Sequence, residues 1–259
     1  MKSSLLLILW FCTATLVTAQ LRFEGVKIQV NDLKAAKGFY HDILGFEIVK
    51  ESEDRLQLKT ETFPIQLKKV EIPNRTDFAT QANAKIAFHS SNLLVAIRYL
   101  SRCGVDIVND QIHKNGVGIH VLVKDPAGNM HSIMEIQSGR KNNFQGFKIY
   151  NAGFAVSSME ESEEFYVNKL GFEVLSRNYL PNALPLKHPD ETFAFMLHAR
   201  KNTRPAQMRL QESQTMLIFK TPNLKQIMQR LEGLQIIQKS DKHMVFEDPS
   251  GLISEIQQK

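Results

Sequence analysis

One internal repeat constrains the fold of this chain more than any other feature of its sequence. Phe39-Tyr40 is followed by Leu44-Gly45-Phe46, and Phe165-Tyr166 is followed by Leu170-Gly171-Phe172 at the same spacing. Downstream of each copy lies an Asp-Pro-x-Gly sequence, which begins at Asp125 in the first half and at Asp248 in the second. The C-terminal half therefore repeats the N-terminal half, which predicts two units of similar structure.

Each half is predicted to contain two modules of one helix and four strands. Residues 26–30 alternate between apolar and polar side chains, as in a half-buried strand, and apolar residues at helical spacing follow at 32–43. The same order begins again near residues 85, 151 and 215. A single module would leave one face of its sheet uncovered, so we expect the two modules of each half to pair.

The predicted fold class is α+β, with paired modules that curl an eight-stranded sheet around a concave cleft in each of two tandem domains. Helices would cover the convex face and leave the concave face to hold a ligand. The repeat predicts a first domain at 20–138, a linker at 139–146 and a second domain at 147–259, all of which follow a predicted signal segment at 1–19.

The N-terminal segment has the pattern of a secretory signal peptide. Lys2 precedes an almost wholly apolar run from Leu5 to Val17, and Ala19 ends a small-residue cleavage site. An uncleaved membrane anchor is the alternative, although the run is short for a span of about 20 residues. We therefore expect an exported protein, either periplasmic or extracellular, with no membrane association after removal of the signal.

Composition limits the range of partners. Lys and Arg total 32 against 27 Asp and Glu, and the net charge of +5 is spread along the chain. No basic run contains interleaved aromatic residues, so we expect no nucleic acid partner. Loss of the signal would remove Cys12 and leave Cys103, which we expect to be a buried small side chain at a helix end. A monomer that binds a small molecule is the expected state.

The repeated motifs and the predicted order of elements resemble the vicinal-oxygen-chelate superfamily, which includes glyoxalases, bleomycin-resistance proteins and extradiol dioxygenases. The resemblance covers about residues 22–258, and its motifs are structural rather than chemical. In this family a divalent metal is typically held on the concave face by His, Gln or Glu side chains. These ligands come from the first, fourth, fifth and eighth strands of a domain, and the metal chelates two neighbouring substrate oxygens.

The corresponding positions of this chain do not carry a conventional set of metal ligands. Counting from the motifs places four residues of the first half there, namely Gly25, Gln66, Lys85 and Ser132. The same count places four residues of the second half there, namely Asn151, Arg209, Met216 and Glu255. Glycine offers no side chain and a protonated lysine has no lone pair, so we expect no metal cofactor.

The loss of the usual metal ligands favours a function in which a positively charged side chain takes the place of the metal ion. We predict that one or both clefts bind a small organic molecule, such as a carboxylate or a polyphenolic anion, without a metal. Arg209 would pair with Glu255 and grip a carboxylate, and Lys85 would place a positive charge in the first cleft. The alternative for both cations is a solvated charge at a strand edge.

Two other classes of function stay open, and the sequence assigns no catalytic residue to either. One is a metal-dependent lyase, isomerase or extradiol-type dioxygenase with unconventional ligands. Its candidates are His89, which lies four residues after Lys85, and His120, together with an acid. The other is a non-enzymatic interaction module with closed clefts, which an exposed apolar patch would favour.

Overall fold

The computed structural model describes residues 21–61, 63–71, 84–115, 117–188, 194–199 and 215–259. The predicted signal segment and Arg209 lie outside these residues. Four modules follow one another in the described part of the chain, each with a helix between its first and second strands. The α+β class and the predicted order of elements are thereby confirmed.

The bounds of the elements follow the order of the modules. Module 1 consists of β1 (Arg22–Val30), α1 (Leu33–Lys37), β2 (Glu47–Ser52), β3 (Arg55–Lys59) and β4 (Ile65–Lys69). Module 2 consists of β5 (Ala84–Ser90), α2 (Leu93–Arg102), β6 (Asp106–Lys114), β7 (Gly118–Lys124) and β8 (Met130–Ile136). Module 3 consists of β9 (Phe147–Val156), α3 (Met159–Glu164), β10 (Glu173–Val174), β11 (Ala183–Lys187) and β12 (Ala194–Ala199). Module 4 consists of β13 (Thr215–Thr221), α4 (Leu224–Arg230), β14 (Gln235–Ser240), β15 (His243–Glu247) and β16 (Ile253–Gln258).

Each of the four module helices in the described residues begins after a residue whose side chain accepts a hydrogen bond from the first turn. Asp32 Oδ1 accepts hydrogen bonds from the backbone N–H groups of Lys34 and Ala35, at 2.8 and 3.0 Å. The residues with the same role in the other helices are Asn92, Ser158 and Asn223. The helices α1 and α3 continue as π-helical turns at Gly38–Ile43 and Phe165–Lys169, which hold the repeated Phe-Tyr pairs.

The strands form two eight-stranded sheets, but the modules pair differently from the expectation. Sheet A has the order β14-β15-β16-β13-β1-β4-β3-β2, and sheet B has the order β10-β11-β12-β9-β5-β8-β7-β6. Module 1 therefore joins module 4, and module 2 joins module 3, through the antiparallel pairs β1–β13 and β5–β9. The expectation that the two modules of each half share a sheet is wrong.

The reason for this error lies in the first strand of each module. That strand pairs with the fourth strand of its own module along one edge and leaves its other edge open for a second module. All four first strands have similar apolar patterns, so the sequence pattern cannot tell which two open edges meet. Each sheet takes strands from both halves of the repeat, and the domain boundaries around 139–146 stay a prediction.

The two repeated motifs of each half contact each other in the core. Tyr40 Oη donates a hydrogen bond to Asp125 Oδ2 at 2.9 Å, and Tyr166 Oη donates one to Asp248 Oδ2 at 2.8 Å. Both tyrosines are fully buried. Each bond connects the helical segment of a module in one sheet to a turn of a module in the other sheet. The two modules of each half are therefore joined by packing instead of strand pairing.

The end of α2 differs from the sequence prediction for Cys103. This cysteine follows Arg102, the last residue of the helix, and it is exposed. The prediction of a buried side chain failed because the core-facing side of the helix ends with Leu100. No helix in the ranges described above is long and apolar enough to cross a membrane.

Candidate functional site

Each sheet has one face covered by helices and an opposite face, which we call the inner face. On β1, Val26 and Ile28 are fully buried in the core, so the intervening Lys27 points to the inner face of sheet A. On β5, Ile86 and Phe88 are fully buried in the same way. The alternating residues of β5 therefore point to the inner face of sheet B. Modules 1 and 4 form sheet A, and modules 2 and 3 form sheet B. Candidate residues therefore share an inner face only when they come from modules of the same sheet.

The inner face of sheet A brings together Gln66, Met216 and Glu255, and it adds Lys27. Lys27 is in register with Gln66 on one side and with Met216 on the other. The Lys27 ammonium group reaches across β13 and contacts Glu255 Oε2. His243 Nε2 lies 3.0 Å from Glu255 Oε1, the other oxygen of the same carboxylate. Glu255 is therefore held between a lysine and a histidine that the sequence analysis did not select.

The pair formed by Lys27 and Glu255 is removed from water. Their side chains are 13% and 5% exposed, respectively. Burial, followed by the charges of Arg55 and Lys68, lowers the pKa of Lys27 to about 8. A carboxylate buried to this degree is costly unless a cation accompanies it, and Lys27 supplies that cation.

Gly25 holds the first-strand position that the sequence count identified. It has a positive φ of +128°, and a Cβ added there would lie 2.3 Å from Pro64 O. The close approach of the two backbones leaves no room for a side chain at this position. Lys27, two residues further on the same face of β1, is the residue that reaches the carboxylate. A charged residue flanked by two core residues was the signal that could have identified it.

The inner face of sheet B brings together Lys85, His89, Ser132 and Asn151. Ala87 is in register with Ser132 on β8 and with Asn151 on β9, so the hydroxyl and the carboxamide lie on either side of it. Lys85 and His89 occupy the neighbouring positions of β5 on the same face. The four candidates therefore come from three adjacent strands, although the sequence count had divided them between two clefts.

Three more histidines extend this cluster. His113 and His120 face each other on β6 and β7, with ring centroids 5.4 Å apart. A Cβ added to Gly153 would lie 2.9 Å from His198 Nε2, so the His198 ring covers that glycine. Gly153 pairs with Lys85, which places His198 beside the lysine. The sequence analysis named His89 and His120 as alternative metal ligands, but it did not select His113 or His198.

Three imidazoles of this cluster, those of His89, His120 and His198, are biased toward their neutral form. Burial lowers the pKa of His198, and the charge of Lys85 adds to the effect. Burial also lowers the pKa of His120, with smaller effects from His113 and Lys85. For His89, burial and then the charge of Lys148 lower the pKa. These three histidines therefore favour the neutral form and can each accept one proton.

Several buried nitrogen atoms of this cluster have no hydrogen-bond partner. They are His89 Nε2, His113 Nε2 and His120 Nδ1. An unpaired buried polar atom costs about 1–3 kcal/mol, so such atoms are usually satisfied by water or by a ligand. Their presence on one face of one sheet makes this face the candidate site for a polar ligand.

The residues at the expected ligand positions do not fit the divalent metal that the resemblance implies. In sheet A the ammonium group of Lys27 lies on the carboxylate that would be the main ligand. In sheet B the positions are held by Lys85, Ser132 and Asn151. Within the described ranges, no group of three His, Cys, Asp or Glu side chains could hold a metal ion.

The alternative pair of histidine ligands is also unfavourable. His89 and His120 are each in register with Met134, so one strand lies between them and their backbones are about 10 Å apart. His113 is closer to His120, but a pair of imidazoles supplies only half of a tetrahedral set.

Comparisons with known proteins agree with this architecture. Residues 22–133 match the family model for the Glyoxalase/Bleomycin resistance protein/Dioxygenase superfamily. A glyoxalase I variant from Zea mays has a similar structure, with a TM-score of 0.69 and 15% identity over 92% of each chain. Zea mays glyoxalase I itself gives a TM-score of 0.64 and 14% identity over 93% of each chain. A candidate dioxygenase from Bacillus subtilis gives 0.62 and 12%, over 93% of this chain and 86% of that chain.

At these identities, the solved structures establish the fold and leave the chemistry open. No curated protein sequence matches this chain significantly. The function must therefore be argued from the side chains on the two inner faces.

Proposed function

We propose that this chain, which belongs to the vicinal-oxygen-chelate superfamily, binds a small organic anion on the inner face of sheet B without a metal ion. The anion is a carboxylate or a polyphenolic compound. Lys85 supplies the permanent positive charge, and His120 and His198 supply imidazoles on either side of it. The observation that carries the proposal is the set of buried, unpaired imidazole nitrogens on the same face as this lysine.

The electrostatics of the cluster support an anionic ligand. Lys85 is close enough to His120 and His198 for its charge to lower the pKa of both. An anion placed among these groups would offset that charge and favour the protonated imidazoles. Binding would then take up protons, and the affinity would increase as the pH falls from 7 toward 5.5. The charges of His113, Lys148 and Lys141 act on these rings in the same direction as Lys85, whereas Glu135 opposes them at His89.

Neutral groups on the same face support an organic ligand over a simple ion. Asn151 can donate and accept hydrogen bonds, and Ser132 offers a hydroxyl group from the opposite side of Ala87. Met134 lies between His89 and His120 and presents a flexible apolar side chain. A flat molecule with a carboxylate at one end and hydroxyl groups at its rim would use all three kinds of contact.

The cellular setting is part of the same proposal. We propose that the N-terminal segment directs export and that the mature protein acts in the periplasm or outside the cell. Each sheet is completed by strands of one chain, which supports a monomer.

The experiment that tests the binding proposal is calorimetric titration with phthalate and gallate, with neutral phthalamide as a control compound. Lys85→Met removes the charge from the cluster, and Lys225→Met makes the same change on α4, away from the inner face. A charge-assisted hydrogen bond is worth about 1.5–3 kcal/mol, so Lys85→Met should weaken binding by about tenfold to 100-fold. Lys225→Met should leave it unchanged.

Three results would contradict the proposal. The first is the absence of binding by either anion at pH 7 and at pH 5.5. The second is equal affinity for phthalate and phthalamide, which would show that charge does not matter. The third is an equal effect of the two lysine substitutions, because long-range attraction by net charge would then explain the binding.

A further inference from the structure

We propose that the ammonium group of Lys27 replaces a divalent metal on the inner face of sheet A. In the same proposal, removal of that group leaves the imidazole of His243 and the carboxylate of Glu255, whose nearest nitrogen and oxygen atoms are 3.0 Å apart, able to bind a transition metal together with a ligand placed at position 27. The inference concerns a different face from the anion-binding cluster. Its test uses different residues and a different ligand, so the two proposals can fail separately.

The first step of the argument is the position of the charge. Lys27 is on the central strand β1, and its side chain crosses β13 to contact Glu255 on β16. Glu255 Oε1 also accepts a hydrogen bond from Gln257 Nε2 at 2.5 Å, and His243 Nε2 lies 3.0 Å away. The carboxylate is therefore the centre of the cluster, and the lysine provides its cation.

The second step is that this carboxylate needs a cation. Glu255 is 5% exposed and stands beside an apolar group of Met216, Val245 and Ile253 on the same face. Taking a lone carboxylate into such surroundings costs several kcal/mol, which a paired cation offsets. A metal ion or an ammonium group can fill that role, and here the ammonium group fills it.

The third step is that the other atoms around Lys27 are of the kind that bind a metal. Gln66 is in register with Lys27, and its buried Oε1 has no hydrogen-bond partner. His243 contributes an imidazole and Glu255 a carboxylate. Zinc, nickel and cobalt bind imidazole and carboxylate ligands. The positive charges of Lys27, Lys68 and Arg55 on this side of sheet A disfavour a divalent ion while the lysine is present.

The experiment measures metal binding by the full chain after its affinity tag has been removed. Lys27→His removes the permanent charge and adds an imidazole beside Gln66. Lys220→His is the matched control, because Lys220, on the neighbouring strand β13, is another lysine of sheet A that pairs with a carboxylate, Glu24. Zn²⁺ binding is measured by calorimetry. Co²⁺ is used as a second probe, because its visible absorption reports coordination by the protein.

The expected result is about one additional equivalent of Zn²⁺ bound by Lys27→His, at least tenfold tighter than any binding by the wild-type chain or by Lys220→His. The Co²⁺ complex of Lys27→His should show an absorption band that disappears in the double variant Lys27→His/Glu255→Gln. Weak binding by the His113 and His120 pair would appear equally in every variant, so it is subtracted from the comparison.

Two results would overturn the inference. One is a folded Lys27→His that binds no more Zn²⁺ than Lys220→His does. The other is tight Zn²⁺ binding by the wild-type chain that Glu255→Gln abolishes, because the lysine would then not exclude the metal. If Lys27→His does not fold, Lys27→Gln replaces it with a neutral oxygen ligand, and the wild-type measurement decides the question independently of both variants.

Discussion

Replacing Tyr166 with phenylalanine tests how the repeated motifs hold the two sheets together. Asp248 accepts three hydrogen bonds, one from the Tyr166 hydroxyl and two from the backbone N–H groups of Ser250 and Leu252, each at 2.8 Å. Tyr166 is fully buried, so no water can take the place of its hydroxyl in the variant. The substitution therefore removes one of three hydrogen bonds from a buried carboxylate and changes little else.

The expected loss follows from the charge of the acceptor. A hydrogen bond to a charged group contributes about 1.5–3 kcal/mol, so the free energy of unfolding of Tyr166→Phe at pH 7.5 should fall by about 2 kcal/mol. A hydrogen bond between neutral groups contributes about 1 kcal/mol. The loss should therefore depend on whether Asp248 is ionised.

The pH dependence has a definite sign. Burial raises the pKa of Asp248 to about 6, whereas an aspartate in an unfolded chain has a pKa of about 3.9. Between these two values the folded chain binds the proton more tightly, so this group contributes more stability as the pH falls from 6 toward 4. The hydrogen bond to Tyr166 opposes the shift, and its removal raises the pKa of Asp248 further. The deficit of Tyr166→Phe should shrink to about 1 kcal/mol at pH 5.

The assay is equilibrium unfolding in urea at pH 7.5 and at pH 5.0, followed by circular dichroism. Tyr99→Phe is the control, because the Tyr99 hydroxyl donates to a neutral acceptor, the backbone carbonyl of Ile43, at 3.1 Å. Its deficit should be the same at both pH values. The reasoning is refuted if Tyr166→Phe loses less than about 0.5 kcal/mol at pH 7.5, or if its deficit is as independent of pH as that of the control.

Three glycine substitutions separate backbone strain from effects on the site. Gly25→Ala places a Cβ 2.3 Å from Pro64 O at a φ of +128°, so it should lower the free energy of unfolding by about 3 kcal/mol or more. Gly128→Ala, at a φ of +83° with nothing within 4 Å, should cost only about 1–2 kcal/mol. Equal losses in urea unfolding would contradict the close approach. Gly153→Ala should displace the His198 ring and weaken phthalate binding several-fold with little change in stability, and unchanged affinity in calorimetry would contradict the position of that ring.

Much of the fold could be predicted because the sequence repeats its structural motifs in the same order. The Phe-Tyr and Asp-Pro-x-Gly motifs occur in each half at matching positions, and in the structure Tyr40 and Tyr166 contact the aspartates of these turns. The pairing of modules could not be predicted, because it depends on which open strand edges meet in space. Periodicity identifies a strand and its buried face, but it does not identify the neighbouring strand.

The grouping of the candidate residues could not be predicted by counting from the motifs. Gln66 and Glu255 do share one face, and Lys85 and Asn151 share another, although the count from the motifs had assigned these pairs to different clefts. Lys27 was missed because Gly25 held the matched position on the same strand. A long side chain can reach across a neighbouring strand. The side chain found at a site can therefore come from a residue other than the one at the matched sequence position.

The most direct test of the central claim is a crystal structure of the protein grown with phthalate and Zn²⁺, with diffraction recorded at the zinc absorption edge. The account predicts density for the anion within hydrogen-bond distance of Lys85 and beside His120 or His198, with no anomalous peak on that face. An anomalous peak bound by the histidines of sheet B would contradict it and would favour a metal-dependent enzyme.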